Sequence, residues 1–158
     1  MSSNSLAPAE ILAAATEIIV RPATDEDSGF CYYSWFKAQR SQGTNRLLND
    51  EQYYRRWSPL FNQFHPRCVT TIVCPAAAPE LIYSYATTYY TRAFPILVWA
   101  HTRRGERGQG YFSRQLPYLT EPFYYVFTSP AARALQKRYP AAVYDPDLIF
   151  QIIRGDLS

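Results

Sequence analysis

"FPILVWAHTRRGERGQGYFSRQLP", residues 94–117, decides how the rest of the chain is read. Its first nine residues (94–102) form the most apolar run in the sequence, which predicts a strand in the middle of a sheet. Gly105, Gly108 and Gly110 then fall within six residues, among Arg103, Arg104 and Arg107. The amphipathic YFSRQL follows, and Pro117 closes it. Strand, basic glycine corner and helix start together suit an anion. Glycine lets the backbone turn sharply and lets a ligand approach the N–H groups. The first turn of a helix adds unpaired donors and the positive end of its dipole. The dinucleotide pattern GxGxxG is absent, because Gly108-Gln109-Gly110 runs into Tyr111, Phe112 and Ser113; no GK[ST] occurs either. The corner therefore reads in two ways, as a pyrophosphate cradle or as a tight turn with exposed arginines.

Working outward, EIIVRPAT (17–24) has a β-branched centre and reads as a strand. Thr24 can cap a helix over 25–42, with Asp27 three residues on and Gly43 as its end. Asn49 or Asp50 starts a second helix through His65, which Pro59 should interrupt or kink. CVTTIVCP (68–75) and LIYSYATTYYTR (81–92) read as strands that precede 94–102 in an antiparallel meander. PFYYVFTS (122–129) is a further strand. Ser129 caps the helix PAARALQKRY, with Pro130 in its first turn. AAVYDP (141–146) and DLIFQIIR (147–154) read as late strands or strand fragments. The order is β-α-α-β-β-β-α-β-α-β-β, an α/β protein with a mixed, largely antiparallel sheet flanked by helices. Residues 1–16, rich in small side chains, are expected to form a flexible arm or a short helix, and 17–158 a single domain.

The bulk properties agree with one globular domain. There are 158 residues, 47% hydrophobic and 18% charged, and no apolar run approaches the length of a membrane span. Aromatic residues reach 16%, including 14 tyrosines, and most should lie in the core or on half-buried sheet positions. Basic residues divide into 14 Arg and 2 Lys, and arginine is the better bidentate partner for phosphate. Codon bias in a GC-rich genome explains that ratio better, so the placement of individual arginines says more than their number. Cys31, Cys68 and Cys74 form no CxxC pair, and with only His65 and His101 no zinc site is expected. The thiols read as reduced and the chain as intracellular.

At this point the chain resembles the GNAT superfamily of acetyl-CoA-dependent N-acetyltransferases. EIIVRPATDEDSGF is similar to that family's first strand and helix start. ILVWAHTRRGERGQG is similar to its fourth strand and coenzyme loop, and YVFTSPAARALQKRYP to its fifth strand and fourth helix. The resemblance spans about residues 17–150, and VYDP near the end looks most like members encoded by bacteriophages. It implies a GNAT-like fold and acetyl transfer from acetyl-CoA to an amine of a protein or small molecule. It implies coenzyme contacts from Trp99, Ala100, Arg103, Arg104, Arg107, Gly108, Gln109, Gly110, Tyr111 and Phe112, with backbone N–H groups near Trp99 and Ala100 polarising the thioester carbonyl. It makes His101, at the end of the fourth strand, the candidate base, and Tyr139 or Tyr144 the acid that protonates the leaving thiolate. Each of the three also has a plain structural reading, as a tethered or core side chain. The early helices would shape the acceptor pocket through Tyr32, Tyr33, Trp35, Asp50 and Tyr53. No metal is implied.

Two residues depart from the family's Arg/Gln-x-x-Gly-x-Gly/Ala loop. Phe112 stands at the sixth position, which should be small, and Pro117 shortens or bends the helix that follows. A second expectation therefore stands beside the enzyme: a catalytically inactive GNAT-fold module that binds a protein partner, such as a phage virion component or a host-protein inhibitor. Its setting would be the cytoplasm of a bacterial host or a virion, and an oligomer is open. Nucleic-acid binding through RRGER and the tyrosines is the weakest reading, since net charge is only +3.

Overall fold

The computed structural model describes residues 17–157, so the expected arm at 1–16 lies outside the described residues. The runs rich in β-branched and aromatic residues become β1 (Ile18–Pro22), β2 (Val69–Pro75), β3 (Ser84–Tyr90) and β4 (Pro95–Thr102), followed by short β5 (Phe123–Tyr125) and β6 (Ala142–Tyr144). They form one six-stranded sheet in chain order. The β1/β2, β2/β3 and β3/β4 ladders are antiparallel, and short turns join β2 to β3 and β3 to β4. The β4/β5 and β5/β6 ladders are parallel, and each needs a crossover that carries a helix. Those crossovers hold α3 (Tyr111–Arg114) and α4 (Pro130–Arg138); α1 (Ser28–Arg40) and α2 (Asp50–Phe64) lie between β1 and β2, and α5 (Leu148–Arg154) ends the chain. The mixed α/β architecture stands as expected from the sequence.

Alternation along β3 divides the helices between two faces. Tyr85 points to α1: its hydroxyl meets Ser34 Oγ at 2.8 Å and donates to the Cys31 carbonyl at 3.1 Å. Two residues on, Thr87 faces the side chains of Phe61 and Phe64 in α2. Tyr89, on the same face, donates to the Leu157 carbonyl beyond α5. Ser84 and Thr88 point the other way, to Gln115 and Tyr118 after α3. Tyr125 reaches Gln136 of α4 on that side.

The two long helices pack through rings. Trp35 lies 5.3 Å from Phe61 and 5.8 Å from Phe64 between centroids, and Tyr32 meets Phe61 edge-on at 5.2 Å. Tyr53 is wholly buried and donates to the Phe36 carbonyl at 2.7 Å, tying α2 to α1. Tyr53→Phe leaves that carbonyl without its partner in a dry site. The expected cost is about 1–2 kcal/mol, measurable as a lower urea midpoint with an unchanged slope.

Three expectations need correction. Pro59 does not interrupt the second helix, which runs unbroken from Asp50 to Phe64. Pro59 and Arg55, four residues before it, are both exposed, so water takes up the freed carbonyl while buried Tyr53, Phe61 and Phe64 hold both halves. Asn49 caps this helix reciprocally with Gln52, each side chain taking the other's backbone N–H. Gly43 does not end α1. The helix stops at Arg40, whose guanidinium donates to the carbonyls of Asn45 and Leu48, and Gly43 (φ 51°) begins a separate 3-10 turn. Residues 148–154 form a helix, not a strand. Leu148 and Ile152, one turn apart, are buried, and Gly155 in a left-handed conformation closes the last turn. The order is thus β-α-α-β-β-β-α-β-α-β-α.

Candidate functional site

β4 is where the sheet changes character. Against β3 its register runs Thr87↔Trp99 and then Thr88↔Leu97, so Val98 is an extra residue, a β-bulge. On its other edge β5 pairs only with Ile96 and Leu97, and the last link is Val126 N–H to the Leu97 carbonyl at 3.3 Å. Beyond Leu97 the edge of β4 that faced β5 carries no ladder bonds. The two strands part at the bulge, leaving Val98, Trp99 and Ala100 on one side and Val126 and Phe127 on the other. The local cause is the turn into α4: Ser129 accepts the Ala132 N–H at 3.1 Å, and Pro130 cannot continue a ladder. The rings of Trp99 and Phe127 meet edge-on at 5.1 Å.

The glycine corner follows directly. Arg103 N–H donates to the Tyr83 carbonyl at 2.9 Å, and a 3-10 turn covers Arg104–Glu106. Gly108 and Gly110 have φ of 82° and 76°, in the left-handed region. A Cβ at either would meet nothing within 4 Å, so backbone conformation and not crowding calls for glycine there. Gly110 caps the four-residue α3, whose first helical bond runs from Arg114 N–H to the Gly110 carbonyl. The N–H groups of Tyr111 and Phe112 precede that bond. Arg104, Arg107, Gly108, Gln109 and Gly110 are all exposed. Arg103 lies over the Phe30 ring at 5.4 Å and Arg114 over Tyr111 at 5.7 Å. Among the described residues none of these arginines is ion-paired. Four arginines beside a turn with two left-handed glycines suit an anion. Tyr111 stacks on Tyr83 at 5.7 Å, and Phe112 is half-buried against the core.

His101, next to last in β4, stands opposite Tyr85, its ring 6.0 Å from Phe30 and 5.8 Å from Tyr85. Burial lowers its pKa, and the positive charges of Arg107 and Arg103 lower it further, so the imidazole is neutral at pH 7. The structure does not bring Tyr144 to it. Tyr139 follows α4, half-buried beneath Arg138 at 5.6 Å. Tyr144 is exposed on β6, paired with Tyr125, two strands away from β4.

The residues expected to line an acceptor pocket scatter. Trp35 and Tyr53 are core, Tyr33 is exposed beneath Lys37, and Asp50 is exposed and 3.2 Å from Arg40. Tyr32, bonded to Ser58 at 2.8 Å, lines an open cleft of about 320 Å³ with Ser28, Phe61, Asn62 and His65. His65 and Asn62 were missed by the sequence reading. The available signal was His65 four residues after Phe61, on which its ring stacks at 4.6 Å.

Cys31, Cys68 and Cys74 are free, and burial pushes the thiols of Cys31 and Cys68 up to about 12. Among the described residues no group of three or more His, Cys, Asp or Glu could hold a metal ion, and no helix is long and apolar enough to cross a membrane. No protein-family model matches the chain, and no curated protein matches it significantly.

Proposed function

We propose that the opening between β4 and β5 and the glycine corner below it bind acetyl-CoA, and that the chain is a GNAT-like N-acetyltransferase acting on an amine. One observation carries this reading: the β4/β5 ladder stops at the Val98 bulge, and the freed strand leads straight into an arginine-rich turn with two left-handed glycines. Arg104 and Arg107, with the backbone N–H groups around Gly108 and Gly110, fit the diphosphate. The coenzyme supplies an activated acyl thioester. Backbone N–H groups near Trp99 and Ala100 polarise its carbonyl. Neutral His101 takes the proton of the attacking amine. Tyr144 stands two strands from β4, which leaves Tyr139 as the acid that would protonate the departing thiolate.

A second reading, an inactive GNAT-fold binding module, is favoured by the Phe127 ring packed on Trp99 at the mouth of the opening. Calorimetric titration with acetyl-CoA separates the two. The enzyme reading expects micromolar binding, weakened at least about tenfold in the double variant Arg104→Glu, Arg107→Glu, whose sites are exposed and leave the fold intact. A folded wild-type chain that gives no heat at high coenzyme concentration sinks it and leaves the module.

A further inference from the structure

Phe30, in the first turn of α1, is half-buried and stands against two groups of the candidate site. Its ring meets the His101 imidazole edge-on, at 6.0 Å between centroids and 70° between planes, and lies 6.1 Å from the Tyr85 ring. The Arg103 guanidinium lies over the same ring at 5.4 Å. A guanidinium over an aromatic face is attracted by the ring quadrupole, and the contact narrows the orientations open to a long side chain. The helix that carries Phe30 is fixed on both sides of it. Asp27, three residues before, is held by Arg21 at 2.7 and 2.8 Å, and Ser34, four residues after, meets the Tyr85 hydroxyl at 2.8 Å. The ring therefore comes to His101 and Arg103 as part of a braced helix.

We propose that Phe30 is a positioning residue of this site: its ring shields the His101 imidazole from water and holds the Arg103 guanidinium beside the glycine corner. This role rests on the acetyl-CoA reading above and adds to it the residue through which α1 acts on both the base and the coenzyme side. The charged groups acting on His101 are Arg107 and Arg103; from β3 it meets the Tyr85 phenol, which burial keeps neutral, and from α1 the uncharged Phe30 ring. Burial is the largest cause of the lowered His101 pKa, so removing a ring that covers the imidazole should raise it, and an Arg103 released toward solvent raises it further. Leucine in place of Phe30 covers less and offers no π face, whereas tyrosine keeps both.

Nuclear magnetic resonance on the full chain tests this, because His65 and His101 are the only histidines and a His65→Gln variant assigns the two imidazoles. In the wild type, cross-relaxation is expected from the Phe30 ring to the His101 ring and to the Arg103 Cδ protons, which the ring current moves upfield. In Phe30→Leu the His101 titration midpoint should rise toward the ordinary imidazole value, and acetyl-CoA, followed by calorimetry, should bind about two- to fivefold more weakly. Phe30→Tyr should restore both. A His101 midpoint that does not move in folded Phe30→Leu overturns the proposal. So does a wild-type spectrum without the Phe30–Arg103 contact, a result that needs no variant to fold. No heat with acetyl-CoA from a wild-type chain that shows both contacts sinks the coenzyme reading, and the proposal with it; binding with an unmoved midpoint sinks the proposal alone.

Discussion

Trp35→Ala is expected to lower the unfolding free energy by about 3–5 kcal/mol, the range for emptying a buried indole site. Trp35 is 2% exposed and touches four rings: Phe36 at 5.0 Å, Phe61 at 5.3 Å, Phe64 at 5.8 Å and Trp57 at 5.9 Å. These belong to both long helices, so the cavity would open at the seam between α1 and α2, where neither backbone can collapse alone. Tyr33, two residues earlier, is 62% exposed and supplies the contrast: Tyr33→Ala should change stability by no more than about 0.5 kcal/mol. Urea unfolding followed by circular dichroism reads both, because Trp35 is one of only three tryptophans and its removal alters the fluorescence baseline. A loss below about 1 kcal/mol for Trp35→Ala would mean that the aromatic seam is not the core drawn here.

Asp27→Asn is expected to cost about 2–4 kcal/mol at pH 7 and to flatten the acid limb of stability. Arg21 on β1 grips the Asp27 carboxylate with two nitrogens, at 2.7 and 2.8 Å, and Thr24 N–H donates to it at 2.7 Å. The Arg21 bond is the main cause that holds this carboxyl below its ordinary range; burial works against it, and the Thr24 amide adds to it. Arg21 also donates to the Pro79 carbonyl at 2.7 Å, so the pair joins β1, the start of α1 and the β2–β3 turn. A group whose folded pKa is depressed stabilises fully above its unfolded pKa and loses that contribution as pH falls through the folded value. The wild-type chain should therefore lose this stability below about pH 4, while Asp27→Asn varies less across the same window. Equal acid limbs in pH-dependent urea titrations would show that the pair contributes nothing.

Much of the fold could be read locally. The caps at Asn49 and Ser129 lie three residues from the N–H groups they satisfy. The antiparallel β1–β2–β3–β4 ladders follow from alternating β-branched and aromatic runs, with short turns joining β2, β3 and β4. The glycine corner was legible for the same reason, since positive φ is a demand of single residues. Residues 148–154 were not: LIFQII suits either element, and its helix buries Leu148 and Ile152 while Arg67 donates to the Ile152 carbonyl from 85 residues away. The continuity of α2 through Pro59 likewise depends on what its other face buries.

The candidate site divides along the same line. Sequence by itself determined that a buried strand ends at Thr102 and runs into a basic, glycine-rich turn, because each of those features is set within a few residues. Tertiary structure decided that β5 leaves β4 at Leu97, that Trp35 and Tyr53 are core, and that Tyr144 stands two strands from His101. It also decided that His65 and Trp99 share one cavity. Strand divergence, burial and shared cavities depend on groups far apart in the chain, such as Ser34 and Tyr85 at 51 residues' separation, and no local pattern encodes which distant surface arrives.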